Sequence, residues 1–207
     1  MDQQVAIRDE RLRLAGRLRS LNRQDFDRPS MCEGWAVRHV LAHLVTPFLV
    51  SPTSMASTAL RRGGISAAMD LKARQIAERP ATELVDILEQ HADSKFRPPG
   101  LPAAAPLTDV VAHSADIRWV LGDGEVDWAE PERLRPVLDF LVSRRSKMGF
   151  VPAGRVRNLR LVADDVDWEH GAGAEVRGPG LAVALGILGR PAAARQLSGD
   201  GVAALAA

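Results

Sequence analysis

The apolar residues up to position 121 recur at helical steps of three to four residues, and this spacing limits the fold more than any other feature. In the clearest case a helix begins at Trp35, and its apolar stripe comprises Val37, Val40, Leu41, Leu44, Val45 and Phe48. A helix with one apolar stripe is stable only when that stripe packs against other elements. The sequence therefore predicts a mainly α protein built on packed helices.

Three further helical segments accompany this one, and together they suggest a four-helix bundle. They span residues 5–21, residues 66–78 with 81–92, and residues 107–121, where Gly122 ends the last helix. The segments 23–35 and 97–106 contain proline and glycine and are predicted to be connecting loops. Pro80 interrupts the third helix, and Pro52 is expected to close the second.

After residue 122 the sequence changes from helical periodicity alone to a mixture of helix and strand patterns. A helix is predicted over 131–147, and the alternating residues from Leu159 to Ala163 predict a strand that runs into the acidic turn DDVDW. A second strand is expected near 175–177, followed by an apolar helix over 181–189. We therefore predict two domains: a metal-binding helical bundle over residues 1–124 and a small α+β unit over residues 125–207.

Composition excludes several classes of function. The 27 basic residues nearly cancel the 26 acidic ones and form no basic stripe, which argues against a nucleic-acid partner. No run approaches the roughly 18 apolar residues of a membrane span, and no secretory signal precedes the first helix, so a cytoplasmic location is expected. Cys32 is the single cysteine, which excludes an intrachain disulfide and a multi-cysteine zinc site.

The candidate chemistry lies on the second and fourth helices. Asp109 and His113 are four residues apart, so they project from one helix face, and Asp116 can orient the imidazole of His113. His43 lies at the edge of the second apolar stripe, where a part-buried imidazole needs a partner. We hypothesise that His43 and His113 bind one divalent metal from two separate helices. A surface ion pair between Asp109 and His113 is the alternative.

The remaining histidines and the cysteine are weaker candidates. His39 is expected to be solvated, and His91 and His170 are expected to be surface residues. Cys32 precedes His43 by eleven residues, which corresponds to roughly 16 Å along a continuous helix. The sequence therefore predicts a small packed residue near the loop at position 32, rather than a nucleophile or a metal ligand.

Two segments of the chain resemble a known family. CEGWAVRHVLAHL, in the second helix, and HSADIRWVLG, in the fourth, are similar to the signatures of the DinB-like proteins. The resemblance is to the actinobacterial branch named for mycothiol-dependent maleylpyruvate isomerase. LRLVADDVDWEHGAGAEVRGPG and ILGRPAAARQLSGDGVAAL resemble the small C-terminal unit of these proteins.

This resemblance implies a DinB-like four-helix bundle with a small C-terminal α+β unit. It also implies a divalent metal, Zn²⁺ with Ni²⁺ as the alternative, whose ligands are His43, Asp109 and His113. The isomerase-like members have Glu at the position of Asp109, so the shorter carboxylate here favours looser or water-mediated coordination.

The implied activity is that of a transferase or isomerase that activates mycothiol, or a similar low-molecular-weight thiol, at the metal. The thiol would then attack a small-molecule electrophile. Arg118 is a candidate for binding an anionic cosubstrate, and Arg190 is a candidate catalytic residue that would bind a substrate carboxylate; a structural salt bridge is the alternative for both. A homodimer is a further expectation. A non-catalytic metal-binding or ligand-binding protein and a metal-dependent hydrolase remain alternative functions.

Overall fold

A computed structural model of the chain describes residues 2–122 and 130–206. The protein is mainly α-helical, as predicted. Its described residues divide into two compact units, one of residues 2–96 with 109–122 and one of residues 97–108 with 130–206. The predicted boundary between residues 124 and 125 lies outside the described residues and stays a prediction.

The first unit confirms the helices that the apolar periodicity predicts. Its helices are α1 (Gln3–Arg19), α2 (Arg23–Asp27), α3 (Val37–Leu49), α4 (Pro52–Arg62), α5 (Ile65–Ala77), α6 (Ala81–Gln90) and the greater part of α7 (Ala104–Leu121). The four predicted bundle helices correspond to α1, to α3, to the interrupted pair α5 and α6, and to α7. The break between α5 and α6 falls at Pro80, which is the N-cap of α6.

The loop predictions missed two helices, and both begin at a local capping signal. Asn22 caps α2 through its side chain, and Asp25 completes a capping box. Ser51 caps α4 and Pro52 occupies its first turn, where the missing N–H of proline costs nothing. Pro52 therefore starts a helix as well as following the end of α3.

The core of the first unit is aliphatic. Leu14, Leu41 and Leu88 have no exposed surface, and Ile117 on α7 joins the same cluster. The stripe predicted on α3 is buried at Val37, Val40, Leu41, Leu44 and Val45, whereas Phe48 is partly exposed. The apolar spacing in the sequence thus identified the faces that pack together.

The second unit combines helices with a small sheet. It contains α8 (Pro131–Val142), β1 (Leu159–Ala163), β2 (Trp168–Gly171), β3 (Ala174–Gly178), α9 (Gly180–Ile187) and α10 (Val202–Ala206), with short 3₁₀ helices at Arg144–Lys147 and Pro191–Gln196. The strand order is β2-β1-β3, with β1 antiparallel to β2 and parallel to β3.

The structure corrects the sequence prediction for this unit at two points. The helix expected over 131–147 ends at Val142, and a 3₁₀ turn follows in which the hydroxyl of Ser146 donates to the carbonyl of Leu141. Strand β2 was not predicted, because four residues are too few to show an alternating pattern.

Gly173, between β2 and β3, has φ +129°, and a Cβ there would lie 2.0 Å from the carbonyl oxygen of Asn158. Only glycine fits that turn.

Across the part of the chain that the structure describes, no helix combines the length and the apolar character that crossing a bilayer requires.

Candidate metal centre

The side chains of His43, Asp109 and His113 meet within the first unit. Helix α3 carries His43, and the four-residue spacing on α7 places Asp109 and His113 on one face. Nε2 of His43 lies 3.2 Å from Oδ1 of Asp109, and Nε2 of His113 lies 3.6 Å from the same oxygen. The two imidazole rings contact each other edge to face, with centroids 4.7 Å apart.

This donor set suits a borderline divalent cation. One ligand atom from each of the three residues lies within 4.8 Å of the other two. Two imidazole nitrogens and one carboxylate oxygen are a common three-ligand set for zinc, and such a set leaves positions open for an exogenous ligand. The residues present therefore fit the metal that the sequence signatures imply.

Asp116 holds the imidazole of His113 in place. Its carboxylate is fully buried, and its Oδ2 lies 2.8 Å from Nδ1 of His113. This contact, expected from the i, i+3 spacing, leaves Nε2 of His113 directed towards His43 and Asp109. A carboxylate on the second ring nitrogen is the usual outer partner of a metal-binding histidine.

His43 is positioned differently from His113. Within the described ranges its buried Nδ1 has no hydrogen-bond partner. The indole of Trp35 packs against the imidazole instead, with ring centroids 5.5 Å apart and an interplanar angle of 51°. Packing against Trp35 therefore contributes to the orientation of His43, a contact that helical periodicity does not predict.

Trp35 is itself fixed by polar groups on α5. Its indole N–H donates to Asp70 at 2.7 Å, and Nε of Arg74 donates to both oxygens of the same carboxylate. Arg74 also donates to the carbonyl of Gly34. These bonds link α5 to the chain segment that precedes α3.

The contacts of the Asp70 carboxylate with Arg74 and Trp35 stabilise the folded protein to an extent that depends on pH. Hydrogen bonds from Arg74 and then from Trp35 hold the pKa of Asp70 below its ordinary value. A carboxyl whose pKa is lower in the folded than in the unfolded protein stabilises the fold at pH values above its unfolded pKa of about 3.9. This stabilisation is lost as the pH falls through the pKa of the folded state. We expect Asp70→Asn to lower the free energy of unfolding at pH 7 by less than about 1 kcal/mol, because the pair is exposed.

Chemical denaturation of wild type and Asp70→Asn at pH 7 and pH 3 measures this effect. The difference between the two proteins should shrink at pH 3, and Glu132→Gln, which changes an exposed carboxylate in the second unit, serves as the control. A difference that stays constant with pH would contradict the role of the ionised carboxylate.

Asp109 is ionised among its neighbours. Burial acts to raise the pKa of Asp109, but the nearby His43, then His113 and Arg11, outweigh burial, and the pKa lies below its ordinary value. Ionisation is the state that a metal-binding carboxylate requires. The departure from Glu to Asp therefore leaves an ionised carboxylate oxygen close to both histidines.

Arg11 supplies a buried positive charge near this carboxylate. Its Nη1 donates to the carbonyl oxygens of His91, Ala92 and Ser94 at 3.0–3.2 Å, just beyond the end of α6. Its guanidinium carbon lies 5.3 Å from the ring centroid of Phe48. Burial lowers the pKa of Arg11 and Asp109 raises it, yet arginine stays protonated at neutral pH. The sequence pattern gave no signal for this arginine.

Cys32 packs against the apolar core, as expected, but it also contacts the candidate site, which the sequence did not predict. Its Sγ lies 2.9 Å from Oδ2 of Asp116 and 3.7 Å from Nδ1 of His113. The distance estimated from Cys32 to His43 assumed a continuous helix. Residues 28–36 instead fold back through a bridge between Pro29 and Ala36. The backbone N–H of Met31 donates to the carbonyl of Asp116, which anchors this loop against α7.

The other candidate residues are three histidines and two arginines. His39 is partly buried rather than solvated, because its Nδ1 accepts a hydrogen bond from the backbone N–H of Ala36 at the start of α3. Arg118 lies on α7, two residues beyond Asp116. Arg190 lies in the second unit, where it donates to the carbonyl of Leu188. His91 stacks on Phe48, and His170 is exposed on β2.

Comparisons with known proteins identify the family that the helical region matches. Residues 7–109 match the family model described as the mycothiol maleylpyruvate isomerase N-terminal domain. No curated protein gave a significant match.

Two solved structures share the fold. One is a histidine-to-alanine variant of mycothiol-dependent maleylpyruvate isomerase, with a TM-score of 0.62 and 14% identity. The other is the mycothiol-dependent maleylpyruvate isomerase, with a TM-score of 0.52 and 15% identity. Each alignment covers 96% of this chain and 92% of the other. Residues 7–109 of this chain thus match the family of mycothiol maleylpyruvate isomerase N-terminal domains, and the fold is DinB-like, as the sequence signatures predicted.

Proposed function

We propose that this protein is a metal-dependent transferase or isomerase that uses mycothiol or a similar low-molecular-weight thiol. The proposed ligands of the metal, Zn²⁺ or alternatively Ni²⁺, are His43, Asp109 and His113. The observation that carries this proposal is the approach of both histidine Nε2 atoms to one Asp109 oxygen, at 3.2 and 3.6 Å. The family that the helical region matches supports the choice of thiol.

When bound, such a metal would acidify a coordinated thiol, so that a sulfur nucleophile forms at neutral pH. The protein residues serve to hold the ligands for this task. Asp116 fixes the His113 ring through Nδ1, and Trp35 packs against the His43 ring. The chain has no tyrosine and one cysteine, so it offers no phenolate and at most one thiolate to activate a thiol.

Two arginines complete the proposal. Arg118 would bind an anionic group of the thiol cosubstrate, and Arg190 would bind a carboxylate of the electrophilic substrate. Guanidinium groups bind carboxylates through paired hydrogen bonds. Replacing either residue by glutamine should raise KM for the corresponding reactant and leave the metal content unchanged, whereas an unchanged KM would remove that arginine from the proposal.

The experiment that tests the function combines metal analysis with a thiol-consumption assay. Purified wild type should contain about one divalent metal per chain and should consume mycothiol in the presence of a generic electrophile such as an activated alkene. His113→Ala should lose both properties, and His170→Ala, which replaces an exposed histidine of the second unit, should keep both. Absence of metal would refute the site. Metal without thiol consumption would favour a binding protein or a hydrolase.

The outer partner of His113 gives a separate prediction. Asp116→Asn keeps the size of the side chain but removes the negative charge that makes the imidazole a stronger ligand. Loss of such a partner typically lowers metal affinity by about 10- to 100-fold, and we expect that loss for Zn²⁺ measured by competition with a chromogenic chelator. Asp139→Asn is the matched control, since Asp139 accepts a hydrogen bond from Trp168 in the second unit. Equal affinities in the two variants would contradict the role of Asp116.

A further inference from the structure

A second set of ligand atoms lies on the other side of the His113 ring. Sγ of Cys32, Nδ1 of His113 and Oδ2 of Asp116 form a triangle with edges of 2.8, 2.9 and 3.7 Å. The first set uses Nε2 of His113, whereas this set uses Nδ1. The two sets therefore share one residue but no ligand atom.

The triangle has the dimensions of a cation site. A circle through its three atoms has a radius of about 1.9 Å, slightly below the Zn–N and Zn–S bond lengths of roughly 2.0 and 2.3 Å. A cation slightly out of the plane of the three atoms can thus reach all of them with small shifts of the side chains. The combination of thiolate, imidazole and carboxylate favours a thiophilic ion over Mg²⁺ or Ca²⁺.

Charge balance also permits binding. Without a cation, the thiol of Cys32 donates to Oδ2 of Asp116, and Nδ1 of His113 lies 2.8 Å from the same oxygen, to which a proton on Nδ1 would be donated. A divalent ion would release the thiol proton to solvent and would move the imidazole proton from Nδ1 to Nε2. The proton on Nε2 then faces Asp109, whose Oδ1 lies 3.6 Å away. Cys32 is partly exposed.

We propose that Cys32, His113 and Asp116 form a second cation site, selective for thiophilic divalent ions such as Cd²⁺. A neutral imidazole has one lone pair for a metal, so an ion on Nδ1 excludes an ion on Nε2 unless the ring loses both protons. The second site therefore competes with the first for His113. The existence of this site does not depend on the proposed function; its consequence, inhibition of thiol turnover by thiophilic ions, rests on that function.

The test is a Cd²⁺ titration of the metal-free, full-length protein in a non-thiol reductant. Binding at the second site should produce a sulfur-to-cadmium charge-transfer band in the ultraviolet that saturates at one ion per chain. Cys32→Ser keeps the size and the hydrogen-bond donor, and it should lose the band while keeping the circular dichroism spectrum of wild type. His43→Ala should keep the band, because His43 belongs only to the first set.

Three results would overturn the proposal. The first is absence of the band in wild type. The second is its loss in His43→Ala, which would place the sulfur in a single four-ligand site. The third is its survival at full affinity in His113→Ala, which would show binding by the thiol alone. None of these measurements uses thiol turnover, so failure of this proposal and failure of the proposed enzyme activity are distinguishable.

Discussion

Replacing His113 by alanine is expected to lower the affinity of the protein for Zn²⁺ by more than the roughly 100-fold that loss of an outer partner can cause. The imidazole of His113 supplies a donor to each of the two ligand sets. The same change leaves the buried carboxylate of Asp116 without its contact at 2.8 Å. We therefore expect His113→Ala to lose more metal binding than His43→Ala, which removes a donor from one set.

Isothermal titration with Zn²⁺ and the shift of the unfolding midpoint on adding Zn²⁺ both measure this loss. A ligand at 100 times its Kd stabilises the folded state by about 2.7 kcal/mol, so the shift seen in wild type should nearly vanish in the variant. His170→Ala controls for the loss of an arbitrary histidine. A variant that keeps the wild-type shift would place the metal elsewhere in the protein.

Replacing Leu41 by alanine is expected to lower the free energy of unfolding by about 2–5 kcal/mol. Leu41 has no exposed surface and packs within the aliphatic cluster of the first unit. The change removes buried apolar atoms and leaves a cavity that α3 cannot fill without moving. Helix α3 also carries His43, so the variant tests how strongly the site depends on the packing beneath it.

Urea denaturation followed by far-ultraviolet circular dichroism measures this loss of stability. Leu60→Ala on α4 is the control, because Leu60 is 89% exposed and its loss should change stability by less than about 0.5 kcal/mol. If the two leucine variants lost equal stability, the packing of α3 described above would be contradicted.

The sequence predicted the bundle helices because helical periodicity is a local property. Residues three or four positions apart lie on one face of any helix, whatever surrounds it. The stripe on α3 and the shared face of Asp109 and His113 on α7 follow from this rule alone. The contact of Asp116 with His113 follows from the same rule, and the structure confirms it at 2.8 Å.

The elements that sequence reasoning missed are short or depend on single residues. Helix α2 and strand β2 have five and four residues, too few to show a period. Helix α4 buries only Thr58, so its sequence has no clear apolar stripe from which a helix could be predicted. The start of α4 depends instead on Ser51 and Pro52. Capping chemistry at Asn22 and Ser51 was the available signal for both helices.

By itself the sequence determined which residues face the core, and it identified His43, Asp109 and His113 as candidate ligands on two helices. Only the tertiary structure decided how close they lie, that Trp35 packs against His43, and that Cys32 contacts Asp116 and His113. Cys32 and His113 are 81 residues apart in the chain. Side chains so distant in sequence are brought together by the packing of whole helices and by the fold of a loop, and no local spacing rule specifies either of these.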